Sequence, residues 1–124
     1  MVYQLKYHQG FQDDLQALPF NEQARILAFL TERFVPALSA DPMHTELPRA
    51  WDFKRLRGAG TTMIDLYQLR CTPAFRAYVL LAHQNNQLWV VGLVRKGGGK
   101  AGDSAQKRAI SRALSRARNI REGT

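Results

Sequence analysis

The sequence is poor in cysteine, in long apolar runs and, over its second half, in acidic residues. Cys71 stands alone, so the chain can form no internal disulfide and no cysteine-built metal cluster. Set in apolar sequence at the end of a strand-like run, Cys71 reads as a small core filler. No apolar run approaches the roughly 18 residues that a membrane span needs. The opening Met-Val-Tyr-Gln-Leu-Lys-Tyr lacks the apolar centre of a signal peptide. A cytoplasmic protein without a membrane partner is therefore expected. Aromatic residues stop at Trp89. Acidic residues are unevenly scarce: residues 1–49 hold four Lys/Arg against six Asp/Glu, residues 50–124 fourteen against four. The net charge of +8 thus lies in one half, which suits a polyanion or an acidic protein partner. A solvated basic surface is the plain alternative.

What is present describes one domain over residues 1–124, since this length can bury a real core. Met63–Arg70, Phe75–His83 and Leu88–Arg95 are rich in β-branched, aromatic and large apolar residues and read as three successive strands. Thr72-Pro73 breaks the first pair, and Gln84-Asn85-Asn86-Gln87 turns the second. Short connections predict an antiparallel meander. The near-continuous apolar character of the last two strands predicts a sheet covered on both faces.

The flanks supply that cover. Val2–Tyr7 alternates as a half-buried strand. Phe11, Leu15 and Leu18 recur at helical spacing, and Pro19 ends that helix. Asn21 is expected to cap a second helix, whose stripe is Ala24, Leu27, Leu30 and Phe34, closed by Pro36. Ser39–Asp52 reads as a loop, Lys54–Arg57 as a short edge strand, and Gly58-Ala59-Gly60 as a turn. Residues 97–102, with four glycines, read as a flexible linker. A basic helix over 103–118 follows, with Ala109, Ala113 and Ala117 on its apolar side and Arg108, Arg112, Arg116 in a cationic stripe. The fold class is α+β, in the order β-α-α-β-β-β-β-α.

With that order assembled, the chain resembles the RelE/ParE superfamily of toxins from bacterial type II toxin–antitoxin systems. The resemblance is carried by Phe11-Gln12-Asp13-Asp14-Leu15, Lys54-Arg55-Leu56-Arg57-Gly58, Leu66-Tyr67-Gln68-Leu69-Arg70, Phe75-Arg76-Ala77-Tyr78 and Leu93-Val94-Arg95-Lys96. It covers residues 3–96. It implies a compact domain that binds an antitoxin segment. It also implies one of two activities: cleavage of mRNA on the ribosome, or poisoning of DNA gyrase without catalysis. A degenerate, purely protein-binding member is a third reading.

Metal-free RNA cleavage needs a base for the attacking 2′-OH, an acid for the leaving 5′-oxygen, and cations for the phosphoryl oxygens. No cofactor and no metal are expected. Arg70, Arg76 and Arg95, at strand ends, suit the cationic role because guanidinium offers paired donors to phosphate. Arg76 matches the Arg of the family's "Y-R" segment, and Arg95 or Lys96 its closing basic position. His83 is the sequence's best acid or base, although seven residues separate it from Arg76 and a regular strand sets the two on opposite faces. Lys54 suits phosphate contact or proton abstraction, and His44 is a further histidine candidate. Arg57, Lys96, Arg108, Arg112 and Arg116 are candidate RNA contacts. The tyrosine that nuclease members carry after the last strand has no counterpart here.

Overall fold

The computed structural model describes residues 2–57, 64–82 and 85–123. His83, the Gly58-Ala59-Gly60 turn and the Met63 start of the first sheet run lie outside them. Among the described residues, β1 (Gln4–Tyr7), β2 (Lys54–Arg55), β3 (Leu66–Arg70), β4 (Phe75–Ala82) and β5 (Gln87–Arg95) form one sheet in the order β1-β5-β4-β3-β2. β2 to β5 are the expected antiparallel meander. β1 departs from it, lying parallel to β5. A parallel neighbour requires a crossover, and the helical hairpin after β1 belongs to that long return path. The Gln4 N–H to Asn86 carbonyl bond (2.7 Å) and the His8 N–H to Val90 carbonyl bond (3.0 Å) pin the two ends of β1.

The hairpin is α1 (Gln9–Gln16), α2 (Phe20–Ala28), a π-helical turn (Phe29–Phe34) and α3 (Val35–Ala40). α2 starts at Phe20 directly after Pro19, whose carbonyl accepts from Glu22 and Gln23, so Asn21 lies inside the helix. Pro36 does not end the helical path. It sits in the first turn of α3, where proline's missing N–H is tolerated, and the wider π turn before it absorbs the change of register. Phe11, Leu15, Ile26, Leu30, Phe34 and Leu38 then bury against Leu69, Phe75, Ala77, Val79 and Val90.

The second face of the sheet is covered by α4 (Gly99–Gly123), through Ala109, Ala113 and Ala117 against Leu66, Tyr78, Leu80 and Val91. The expected linker is mostly helix. Gly102 is buried against the Gly97 carbonyl, where any Cβ would collide. The glycines therefore let the chain fold tightly back onto itself rather than span a gap, and the helix starts earlier and ends later than the cationic stripe suggested.

Candidate functional site

Alternation along β4 sorts its side chains. Phe75, Ala77, Val79 and Leu81 join the core under the hairpin, while Tyr78 and Leu80 join the one under α4. Arg76 therefore stands on the α4 face. Its register neighbours are Arg70 on β3 and Val94 on β5. The adjacent row is Lys54, Gln68, Tyr78 and Gly92. Two rows thus gather Lys54, Gln68, Arg70, Arg76 and Tyr78 on one surface.

Arg76 is only 7% exposed. Its Nη1 donates to the Phe75 carbonyl at 3.4 Å, and among the described residues no carboxylate pairs with it. Burying a cation without a counter-charge is costly, so the position favours an incoming anion. Arg70, exposed at the end of β3, adds a second guanidinium opposite it.

α4 closes the site with one carboxamide. Lys96 Nζ donates to Gln106 Oε1 at 2.8 Å, and Gln106 Nε2 donates to Gln68 Oε1 at 2.9 Å. Gln68 is itself buried. Below them the Tyr78 hydroxyl is buried and has no hydrogen-bond partner. Burial pushes the Tyr78 phenol up to about 12, against the opposing pull of nearby Gln106, Arg76 and Arg112. Gln106 is the side chain that could hydrogen-bond the phenol oxygen, but here its amide donates to Gln68 instead. The phenol thus keeps its proton near neutral pH and can donate a hydrogen bond.

A β-bulge decides which basic residue at the end of β5 belongs here. Tyr78 faces Gly92 but Val79 faces Val90, which leaves Val91 as the extra residue and reverses the alternation beyond it. Leu93 consequently joins the hairpin side. Arg95 follows it, donating to both Glu22 carboxylate oxygens at 3.1 Å and lying 4.5 Å over the Phe75 ring. Lys96 instead turns toward α4. Arg76 and Arg95 therefore lie on opposite faces, and Lys96 is the end-of-strand cation on the Arg76 side.

The remaining sequence candidates are exposed, engaged elsewhere or on the other face. The Lys54 ammonium, exposed, is 3.5 Å from Asp52, and Arg57 is exposed beyond β2. His44 has a left-handed backbone (φ 59°) and meets Phe53 and Tyr67 edge-on at 5.0 and 5.2 Å, on the hairpin side. Arg108 and Arg112 are exposed on α4. Arg116 Nη1 donates to Asp14 Oδ2 and to the Val91 carbonyl, both at 2.9 Å, so its charge is engaged in holding α4. Burial pushes the Cys71 thiol up to about 12, as befits a core filler. Among the described residues, no group of three or more His, Cys, Asp or Glu could hold a metal ion, and no helix is long and apolar enough to cross a membrane.

The sequence pattern singles out neither Gln68 nor Gln106 as a site residue, and Tyr78 enters it only as the end of the Phe75–Tyr78 segment. An uncharged amide on a strand gives no charge signal. Gln68, a polar residue between Tyr67 and Leu69, was the available cue.

Neither a protein-family model nor a curated protein matches the sequence. Solved structures do. The archaeal RelE–RelB complex of Pyrococcus horikoshii is similar at 25% identity and a TM-score of 0.56, over 80% of this chain and 100% of that one. The toxin–antitoxin complex RelBE2 of Mycobacterium tuberculosis matches at 18% identity and 0.56, over 79% and 97%. A metal-bound toxin of Helicobacter pylori matches at 19% and 0.54, over 77% and 94%. The last two bear on the fold alone.

Proposed function

We propose that the chain, whose fold is that of RelE toxins, is the toxin of a type II toxin–antitoxin pair, a metal-independent, ribosome-dependent mRNA endoribonuclease held inactive by a cognate antitoxin. The observation that carries the reading is Arg76: a buried guanidinium without a carboxylate, flanked by Arg70 and Lys96 on the face that α4 overlies. In cleavage, the 2′-oxygen attacks the adjacent phosphorus and the 5′-oxygen leaves. Extra negative charge builds on the non-bridging oxygens between those events. Arg76, buried, and Lys96, exposed at the end of β5, stabilise it with preformed donors, and Arg76 acts the more strongly because water is excluded around it. Arg70, more exposed, holds the substrate backbone. Lys54, in the adjacent row, is the nearest described candidate for taking the 2′-OH proton.

A second reading has one specific support. α4 leaves Arg76 nearly covered, and the tail offers no aromatic residue to a base. Both suit a gyrase inhibitor that acts by binding alone, or a non-toxic binding member. Induced expression with transcript 5′-end mapping separates the readings. New 5′ ends in the wild type that vanish in Arg76→Ala support the nuclease. Growth arrest without new ends, accompanied by gyrase-linked DNA breaks, supports the inhibitor and overturns the nuclease.

A further inference from the structure

Around Arg76 the hydrogen-bonding groups are unbalanced. Arg76, Lys96 and the Tyr78 hydroxyl all offer protons. The side-chain acceptors present, Gln68 Oε1 and Gln106 Oε1, are taken by Gln106 and Lys96. The Tyr78 hydroxyl is left with no partner in a fully buried position. A tyrosine whose only task is packing would normally find a partner for its hydroxyl or be a phenylalanine, because an unmet buried hydroxyl lowers stability. A surplus of donors in one place selects a ligand rich in acceptors.

We propose that Tyr78 is a phosphate-contacting residue of this site, its hydroxyl donating to a non-bridging phosphoryl oxygen of the RNA substrate, and that the Gln106 side chain covers the way to it in the free protein. The inference rests on the nuclease reading above and names a further contact for it. Gln106 Oε1 at Lys96 stands where a phosphoryl oxygen would be received. Gln106 is only half-buried, so rotation of its side chain opens a route to Tyr78 without moving the helix axis. Tyr78 keeps its proton throughout, as its raised pKa requires. It stabilises charge and transfers nothing. The ring is held for this by close packing: a Cβ on Gly92 would lie 3.3 Å from Tyr78 Cδ2 and 3.4 Å from Ala113 Cβ, so sheet and helix grip it from two sides.

The test is Tyr78→Phe, which removes the oxygen and little else. Wild type, Tyr78→Phe and Arg76→Ala are expressed at matched levels, transcript 5′ ends are counted, and the purified proteins are unfolded in urea. Tyr78→Phe is expected to resist urea at least as well as the wild type yet to yield about tenfold fewer new ends, the scale of one hydrogen bond to a charged group. Loss of activity without loss of stability is an outcome that a packing role does not give. If Arg76→Ala abolishes the ends and Tyr78→Phe leaves them at the wild-type level, the Tyr78 inference alone is overturned. If Tyr78→Phe unfolds more easily, the hydroxyl has a structural partner and the inference is overturned too. If the wild type makes no new ends, the nuclease reading fails and takes this inference with it.

Discussion

The guanidinium of Arg116, near the end of the chain, is bonded to the carboxylate of Asp14 at 2.9 Å across 102 positions of sequence. The same nitrogen caps the Val91 carbonyl. One side chain thus fastens α4 to α1 and to the bulge of β5 at once. It does so over Gly10, where a Cβ would run into the guanidinium.

That fastening should be measurable. Arg116→Ala leaves a partly buried carboxylate and a carbonyl unmet, and is expected to cost about 2 kcal/mol in urea unfolding. Gly10→Ala should imitate it by pushing the guanidinium off both partners. In the Arg116→Ala background the Gly10→Ala change should then be nearly neutral. Full additivity of the two losses would show that they act separately.

His8 makes stability depend on pH. Its Nδ1 accepts the Gly10 N–H at 2.9 Å as the cap of α1, which requires that nitrogen to be unprotonated. Burial, then the Arg116 charge, hold the His8 pKa below its ordinary value, with Asp13 opposing. The unfolded chain therefore binds this proton more readily than the folded one. The contribution is complete above the ordinary histidine value and is lost as pH falls toward the lowered one. The urea midpoint should decline from pH 7.5 to 5.0. His8→Asn, which caps at either pH, should flatten that decline. An equal decline in both proteins would remove His8 as its cause.

Cys71 should be inert in the native protein. Its thiol is pushed up to about 12 by burial, so almost no thiolate exists at pH 8. Iodoacetamide is expected to label it only at the rate at which the protein opens, and quickly in urea. Fast labelling of the folded protein would contradict this burial.

Protection from hydrogen exchange should divide α4 into two parts. Ala109, Ala113 and Ala117 are buried and Arg116 is fastened, whereas residues 99–104 are exposed apart from Gly102 and the first turns reach the sheet through half-buried Gln106. Amides of 109–117 should exchange slowly and those of 99–106 much faster. That contrast is what a helix whose leading end gives way to a partner requires. Protection from Gly99 onward equal to that of β4 would show a uniformly fixed helix instead.

The sequence by itself determined the α+β class and the element order, because periodicities of 3.6 and 2 are local. It also marked Arg70, Arg76 and Arg95 alike as strand-end cations, and the register of the structure then set Arg70 beside Arg76. Only the tertiary structure decided the rest. The parallel seat of β1 depends on where a long crossover returns. The passage of the helix through Pro36 depends on a π turn that no residue type announces. Which of Arg95 and Lys96 lies on the Arg76 side depends on Val91 and Gly92. There the Tyr78 ring and Ala113 of α4 press against a residue with no Cβ, and the strand gains one residue. Alternation predicts faces only as far as the first bulge. This bulge forms where a ring from the neighbouring strand and Ala113 of α4 meet, a contact that exists only once the chain has folded.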